Sequence, residues 1–225
     1  MITSEELMLL LTRDDGKPES AFAQNTWGYA AANIADLVIA ERITLDEAKD
    51  PRLTVIDSSP TGHPALDAAL ARLERKDGAK VSSLVTDGKV AAQAEIVASL
   101  QQAGVIEVEA KRFLGLVPEK RPIRDAAPER ALRERLGSVL RGTTATPREA
   151  TLLAIVQSLD IAPKVFAEET GGMSKKEIKA RIEEVATHDH AGETVSAAVA
   201  RALQAMNTAI VVATIVPIVT STSSS

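Results

Sequence analysis

The sequence predicts a mainly α fold, a single compact helical domain with two short β-hairpins. Three observations point there. Hydrophobic residues make up 45% of the 225 positions but aromatics only 2%, so the core must be built from alanine and branched aliphatics, a composition that favours helices. Apolar residues recur at helical spacing behind recognisable start signals. Twice, near residues 42–57 and 105–117, the period changes from helical to alternating, and each change reads as a hairpin.

Thr3-Ser4-Glu5-Glu6 has the pattern of a capping box and opens a short helix with Leu7, Leu10 and Leu11 on one face. Asp14-Asp15-Gly16-Lys17-Pro18 then forces a loop. A helix over residues 21–41 carries Ala30, Ile34, Leu37 and Val38 one turn apart, with Trp27 just before them. The first hairpin follows, turning at Asp50-Pro51. After a loop at residues 59–64, Leu66, Leu70 and Leu73 mark a helix that ends near Lys76. A helix from Lys89 carries Ile96, Val97 and Leu100 and stops at Gly104. The second hairpin alternates through residues 105–109, turns at Ala110-Lys111-Arg112 and returns through residues 113–117. The two helix–hairpin units form a weak internal repeat.

The C-terminal part reads as all helical. Helices begin at Ala127, at Thr146-Pro147-Arg148-Glu149 and at Ser174-Lys175-Lys176-Glu177, the last two being capping boxes. A final helix is expected over residues 193–216. The apolar run at 209–219 contains Pro217 and is too short to cross about 30 Å of hydrocarbon, so it reads as a buried core helix. Residues 1–219 therefore form the domain and residues 220–225 a disordered Ser/Thr tail.

Several functions are excluded or disfavoured. There is no cysteine, which removes disulfides, thiolate nucleophiles and thiolate metal sites. The net charge of −5 and the scarcity of aromatics make nucleic acid an unlikely partner. The acidic start of the chain lacks the pattern of a secretory signal. No catalytic constellation emerges. His63, between proline and glycine, reads as a solvated loop histidine. His188 and His190 are two residues apart and cannot share a helix face around a metal. Gly171-Gly172 reads as a break between helices, and Glu168-Glu169 and Glu183-Glu184 read as solvated helix faces. The expectation is thus a non-enzyme, with no catalytic residue, metal or cofactor.

One segment stands out electrostatically. Residues 110–141 hold nine basic residues (Lys111, Arg112, Lys120, Arg121, Arg124, Arg130, Arg133, Arg135 and Arg141) against four acidic ones. That surplus of five leaves the rest of the chain at −10. Within it, Phe113, Leu114 and Leu116 stand beside Lys111 and Arg112. Apolar side chains ringed by cations suit a peripheral anchor in anionic lipid. The competing reading has these apolar residues packed on the core and the arginines on a solvated face.

An ordered series of segments spans most of the chain: EELMLLL at residues 5–11, IADLVIAERITL at 34–45, PTGHPALDAAL at 60–70, LQQAGVI at 100–106, Phe113-Leu114, and Arg121-Pro122-Ile123. In order and spacing this resembles the Golgi phosphoprotein 3 family, in its bacterial type. The resemblance implies a helical domain with projecting hairpins. It also implies a cytoplasmic protein, peripheral at the inner face of a membrane, with anionic membrane lipid as its ligand. In eukaryotic members that lipid is phosphatidylinositol 4-phosphate, and the cytoplasmic tails of membrane proteins are protein partners. The family hairpin that corresponds to Lys111, Arg112, Phe113, Leu114 and Leu116 enters the membrane and takes part in homo-oligomer formation. The family's headgroup pocket uses a tryptophan and three arginines. An ungapped placement puts Ala21, Ala30, Val90 and Gln93 at those positions, so no headgroup residue carries over. The rival reading is a winged-helix-like nucleic-acid-binding regulator, because helix plus hairpin occurs twice. A steep salt dependence of duplex DNA affinity would favour it.

Overall fold

Helix α2 (Gln24–Ile39) is the central element of the computed structural model, which describes residues 1–13, 15–19, 24–109, 120–187 and 204. Its Ala30, Ala31, Ala32, Ile34, Ala35, Leu37 and Val38 are all buried, so it is covered on every side. The run of alanines lets neighbouring helices come close. At Gly28 a Cβ would stand 3.0 Å from Leu7 and 3.1 Å from Leu159, so a larger residue there would need both leucines to shift by a few tenths of an ångström. Helix α1 (Thr3–Leu10), α3 (Pro64–Glu74) and α7 (Pro147–Ser158) pack around α2. Short α4 (Val81–Val85) also touches α2, and α5 (Gln93–Gln102) packs on α3. On the far side α6 (Ala127–Leu140), α8 (Ala162–Val165) and α9 (Lys175–Thr187) close over α7. One apolar cluster runs through all of these elements, with Phe166 its largest fully buried side chain. The mainly α expectation therefore holds for the described residues.

The first hairpin is present as β1 (Ile43–Leu45) paired antiparallel with β2 (Leu53–Val55), with Thr44 opposite Thr54. Ile43, Leu45 and Leu53 face the core. The start signals at Thr146 and Ser174 act as read. Thr146 Oγ1 accepts from the Glu149 amide at 3.3 Å, and the Glu149 carboxylate accepts from the Thr146 amide at 2.9 Å. Ser174 and Glu177 repeat the exchange at 3.3 and 2.7 Å. Gly171 and Gly172, both with positive φ, do separate α8 from α9.

Three expectations need correction. The first helix is not capped by Thr3 or Ser4. Glu5 does reach back, but to the amide of Ile2 at 3.0 Å, while the Thr3 hydroxyl and amide both donate to Asp36 of α2. The helix expected from Lys89 begins only at Gln93, because Ala92 before it has φ +46, outside the helical region. Helices α4 and α8 were not anticipated: five and four residues are too few to show a period. The expected helix at 193–216, the apolar run at 209–219, the His188 and His190 pair and the Ser/Thr tail lie outside the described residues.

Helix α2 ends on a residue that glycine would suit better. Glu41 has φ +55, and the Arg42 amide closes a six-residue turn onto the Leu37 carbonyl at 2.9 Å. A left-handed conformation costs a side-chain-bearing residue about 1–2 kcal/mol, and a carboxylate opposes the negative end of the helix dipole. Part of any gain from glycine is lost to the greater freedom of the unfolded chain. Glu41→Gly is therefore expected to stabilise the fold by about 0.5–1 kcal/mol, read as a higher urea midpoint at unchanged slope.

Candidate functional site

The second hairpin is anchored by a described stem. Val105 and Ile106 at the end of α5 are buried, and Ile123 packs against the same core. Ile106 bridges Ile123 and Glu109 bridges Lys120, both antiparallel. The Glu107 amide donates to Pro122 at 3.0 Å and the Glu109 amide to Lys120 at 2.9 Å. Arg124 closes the base, its side chain on Glu107 and its amide on the Val105 carbonyl at 2.9 Å.

This register differs from the one expected. Alternation suggested a turn at residues 110–112 and a return arm at 113–117. The observed return arm is at 120–123, so residues 110–119 join the two arms. The described arm that packs on the core brings Ile123, and the apolar run at 113–117 lies outside the described residues. The candidate contact residues Lys111, Arg112, Phe113, Leu114 and Leu116 belong to this connection and lie outside the described residues.

The basic surplus of residues 110–141 is less free than its charge count suggests. Besides Arg124, two arginines of α6 and Arg141 at its C-terminal cap are tied down. Arg133 binds Glu129 at 2.8 Å, Glu169 at 3.0 Å and the Val165 carbonyl at 2.8 Å. Burial alone would lower the Arg133 pKa, but the two carboxylates outweigh it and hold it above its usual value. Arg135 binds Glu6 at 2.7 Å and Glu149 at 3.4 Å. Arg141 donates to the Glu169 carbonyl at 3.0 Å. These arginines fasten α6 to α1, α7 and the segment after α8. Exposed Arg130 on α6 makes no ion pair among the described residues.

None of the three described positions that the ungapped placement sets against the family's headgroup pocket is itself a cation. Ala30 and Val90 are fully buried. The Asn33 amide nitrogen donates to the carbonyls of Val90 at 2.9 Å and Ala91 at 3.0 Å, fastening the approach to α5 onto α2. Gln93 lines an open cleft of about 410 Å³ together with Arg72, Arg75 and Lys89. Arg72 is committed to Asp87 at 2.8 Å, as is Lys76 at 3.2 Å. Burial would raise the Asp87 pKa, but the hydrogen bonds from Arg72, the Lys89 amide and Lys76 prevail and lower it. Arg75 and Lys89 are exposed and make no ion pair among the described residues. Sequence reading missed these two cations, since nothing local sets them apart from an ordinary solvated lysine or arginine. Ala21 lies outside the described residues.

Two other expectations change. His63 is not a solvated loop histidine. Its Nδ1 accepts from the Ala65 amide at 3.3 Å, capping α3, and its Nε2 lies 3.0 Å from the buried Glu5 carboxylate. Glu169 is not on a solvated face, because its side chain is only 10% exposed beside Arg133. Glu183 and Glu184 do sit on an exposed face of α9, paired with Lys179 and Arg181. Among the described residues no cluster of His, Asp or Glu could hold a metal ion, and no helix is long and apolar enough to cross a membrane.

The family model for Golgi phosphoprotein 3 matches residues 4–206. The chain belongs to the Golgi phosphoprotein 3 family. The match takes in α1 through α9, the first hairpin, the stem of the second and the connection that carries Phe113, Leu114 and Leu116. No curated protein matches the chain closely enough to add a relative. In this member of the Golgi phosphoprotein 3 family, the three described positions set against the family's headgroup arginines by the ungapped placement are Ala30, Val90 and Gln93.

Proposed function

We propose that this Golgi phosphoprotein 3 family member is a non-enzymatic, peripheral protein of the cytoplasmic face of a membrane, and that it docks on anionic phospholipid through residues 110–119. The observation that carries the reading is the paired, core-anchored stem, whose arms are joined by a segment containing Lys111, Arg112, Phe113, Leu114 and Leu116. Fully burying the three apolar side chains would contribute roughly 1.5–3 kcal/mol each, and partial insertion about half of that. Each cation close to an anionic surface adds about 1 kcal/mol. Because Arg124, Arg133, Arg135 and Arg141 are occupied within the fold, fewer cations of the segment remain for lipid than its nine basic residues suggest. One hairpin then gives reversible binding, and a homo-oligomer carrying two would bind far more tightly. With no arginine at the aligned headgroup positions, charge rather than headgroup identity sets the preference, and phosphatidylinositol 4-phosphate acts as one anionic lipid among others. The cytoplasmic tails of membrane proteins are the protein partners that family membership favours.

Replacing both Leu114 and Leu116 by aspartate sets charges where apolar contact is needed. The double variant is expected to stay folded and to lose sedimentation with anionic liposomes. Light scattering separates the two roles of the segment. An unchanged mass with lost sedimentation supports the lipid contact, and a smaller species identifies an oligomer contact. Global unfolding would assign the two leucines to the core, and parental behaviour in every assay would remove the segment from the function.

A further inference from the structure

The connection between α1 and α2 grips the stem of the second hairpin. Residues 12, 13 and 15–18 are drawn into a tight turn, with Thr12 bridged to Pro18, the Arg13 amide on the Lys17 carbonyl at 2.9 Å and the Gly16 amide on the Arg13 carbonyl at 2.7 Å. Asp15 fixes the turn by accepting from the Lys17 amide at 3.1 Å and pairing with its ammonium at 3.0 Å. Gly16 lies at the point of contact. Its carbonyl accepts from the Arg121 amide at 3.0 Å. A Cβ on Gly16 would stand 2.4 Å from the nitrogen of Pro122 and 2.6 Å from the carbonyl carbon of Arg121, closer than any real contact. Its φ of +76 disfavours a side chain independently. Pro122 suits the other side, because its nitrogen carries no hydrogen to hold the turn away. Beyond the turn, the Glu19 amide returns to the Leu11 carbonyl at 2.8 Å. Lys164 of α8 holds Glu19 through its carbonyl at 2.6 Å and its carboxylate at 2.8 Å.

We propose that this turn is a clasp: through Gly16 it positions the stem of the second hairpin against the domain, and so sets the orientation in which residues 110–119 meet a membrane. The second half of this proposal rests on the function proposed above. Gly16 is a positioning residue, distant in sequence from every candidate lipid contact.

The test is hydrogen–deuterium exchange on the full chain, with anionic liposome sedimentation alongside. In Gly16→Ala the amides of Glu107, Glu109, Lys120 and Arg121 are expected to exchange at least about tenfold faster. Amides of α2 and α7 should keep their parental rates, and sedimentation should fall. Should Gly16→Ala not fold, Lys164→Gln releases the far end of the clasp without steric load and should speed the same amides by a smaller factor. Parental stem exchange in a folded Gly16→Ala, or in Lys164→Gln where that variant is needed, overturns the clasp. A loosened stem with undiminished sedimentation overturns its role in orientation. Failure of the parent chain itself to sediment contradicts the membrane function instead, and the exchange rates still decide the clasp.

Discussion

Asp36→Ala is expected to destabilise the fold by about 3–5 kcal/mol. Asp36 sits in the last turn of α2 and is 1% exposed, yet it carries a carboxylate. Its two oxygens accept from the Thr3 amide at 2.7 Å and the Thr3 hydroxyl at 2.6 Å, and the Arg148 guanidinium lies 3.5 Å away. Asp36 therefore caps α1 from another helix, at the end where the dipole favours negative charge. Alanine would leave the amide and hydroxyl of fully buried Thr3 without acceptors. Arg148 is half exposed and returns to water at little cost. Asp36→Asn keeps the shape and one acceptor oxygen, so it should cost markedly less, about 1–2 kcal/mol. Chemical denaturation of both variants checks the order. Equal losses would mean that the second acceptor oxygen or the charge, which asparagine lacks, carries the whole effect, and that shape and one acceptor recover nothing.

The second large effect is at His63, where alanine should cost about 2–4 kcal/mol. The imidazole links two helix starts. Nδ1 accepts from Ala65 at the start of α3, and Nε2–H donates to Glu5 at the start of α1, whose other oxygen accepts from Ile2. Removing the ring uncaps α3 and strands one oxygen of a carboxylate that is 3% exposed. His63→Asn can still cap α3 but is too short to reach Glu5, so it should recover about 1 kcal/mol of the loss. A double-mutant cycle with Glu5→Gln should show coupling between the two positions. Additive effects would contradict the bond to Glu5.

These two residues also show where sequence reading stops. The capping boxes at Thr146 and Ser174 were legible because donor and acceptor stand three residues apart. At Thr3 the same local pattern misled, because its hydroxyl finds Asp36, 33 positions away. His63 reads as loop because Glu5 is 58 positions away. The arginines of α6 read as free charge for the same reason, Arg135 reaching Glu6 across 129 positions. Apolar periodicity located the longer helices and the first hairpin. It could not give the register of the second hairpin, where Glu109 pairs with Lys120 and Ile123 belongs to the arm that packs on the core. The residues of the candidate contact were legible from composition, as apolar side chains among cations. Their connection to a clasped stem was not, since Gly16 and Pro122 meet only in three dimensions.

Sedimentation of the full chain with liposomes tests the central claim most directly. Three vesicle types are needed: neutral phosphatidylcholine, the same with phosphatidylserine, and the same with phosphatidylinositol 4-phosphate at matched surface charge. The account predicts that the chain pellets with both anionic vesicles to a similar extent, that it stays in solution with the neutral one, and that added salt releases it. A chain that remains in the supernatant with every vesicle at low salt would contradict it.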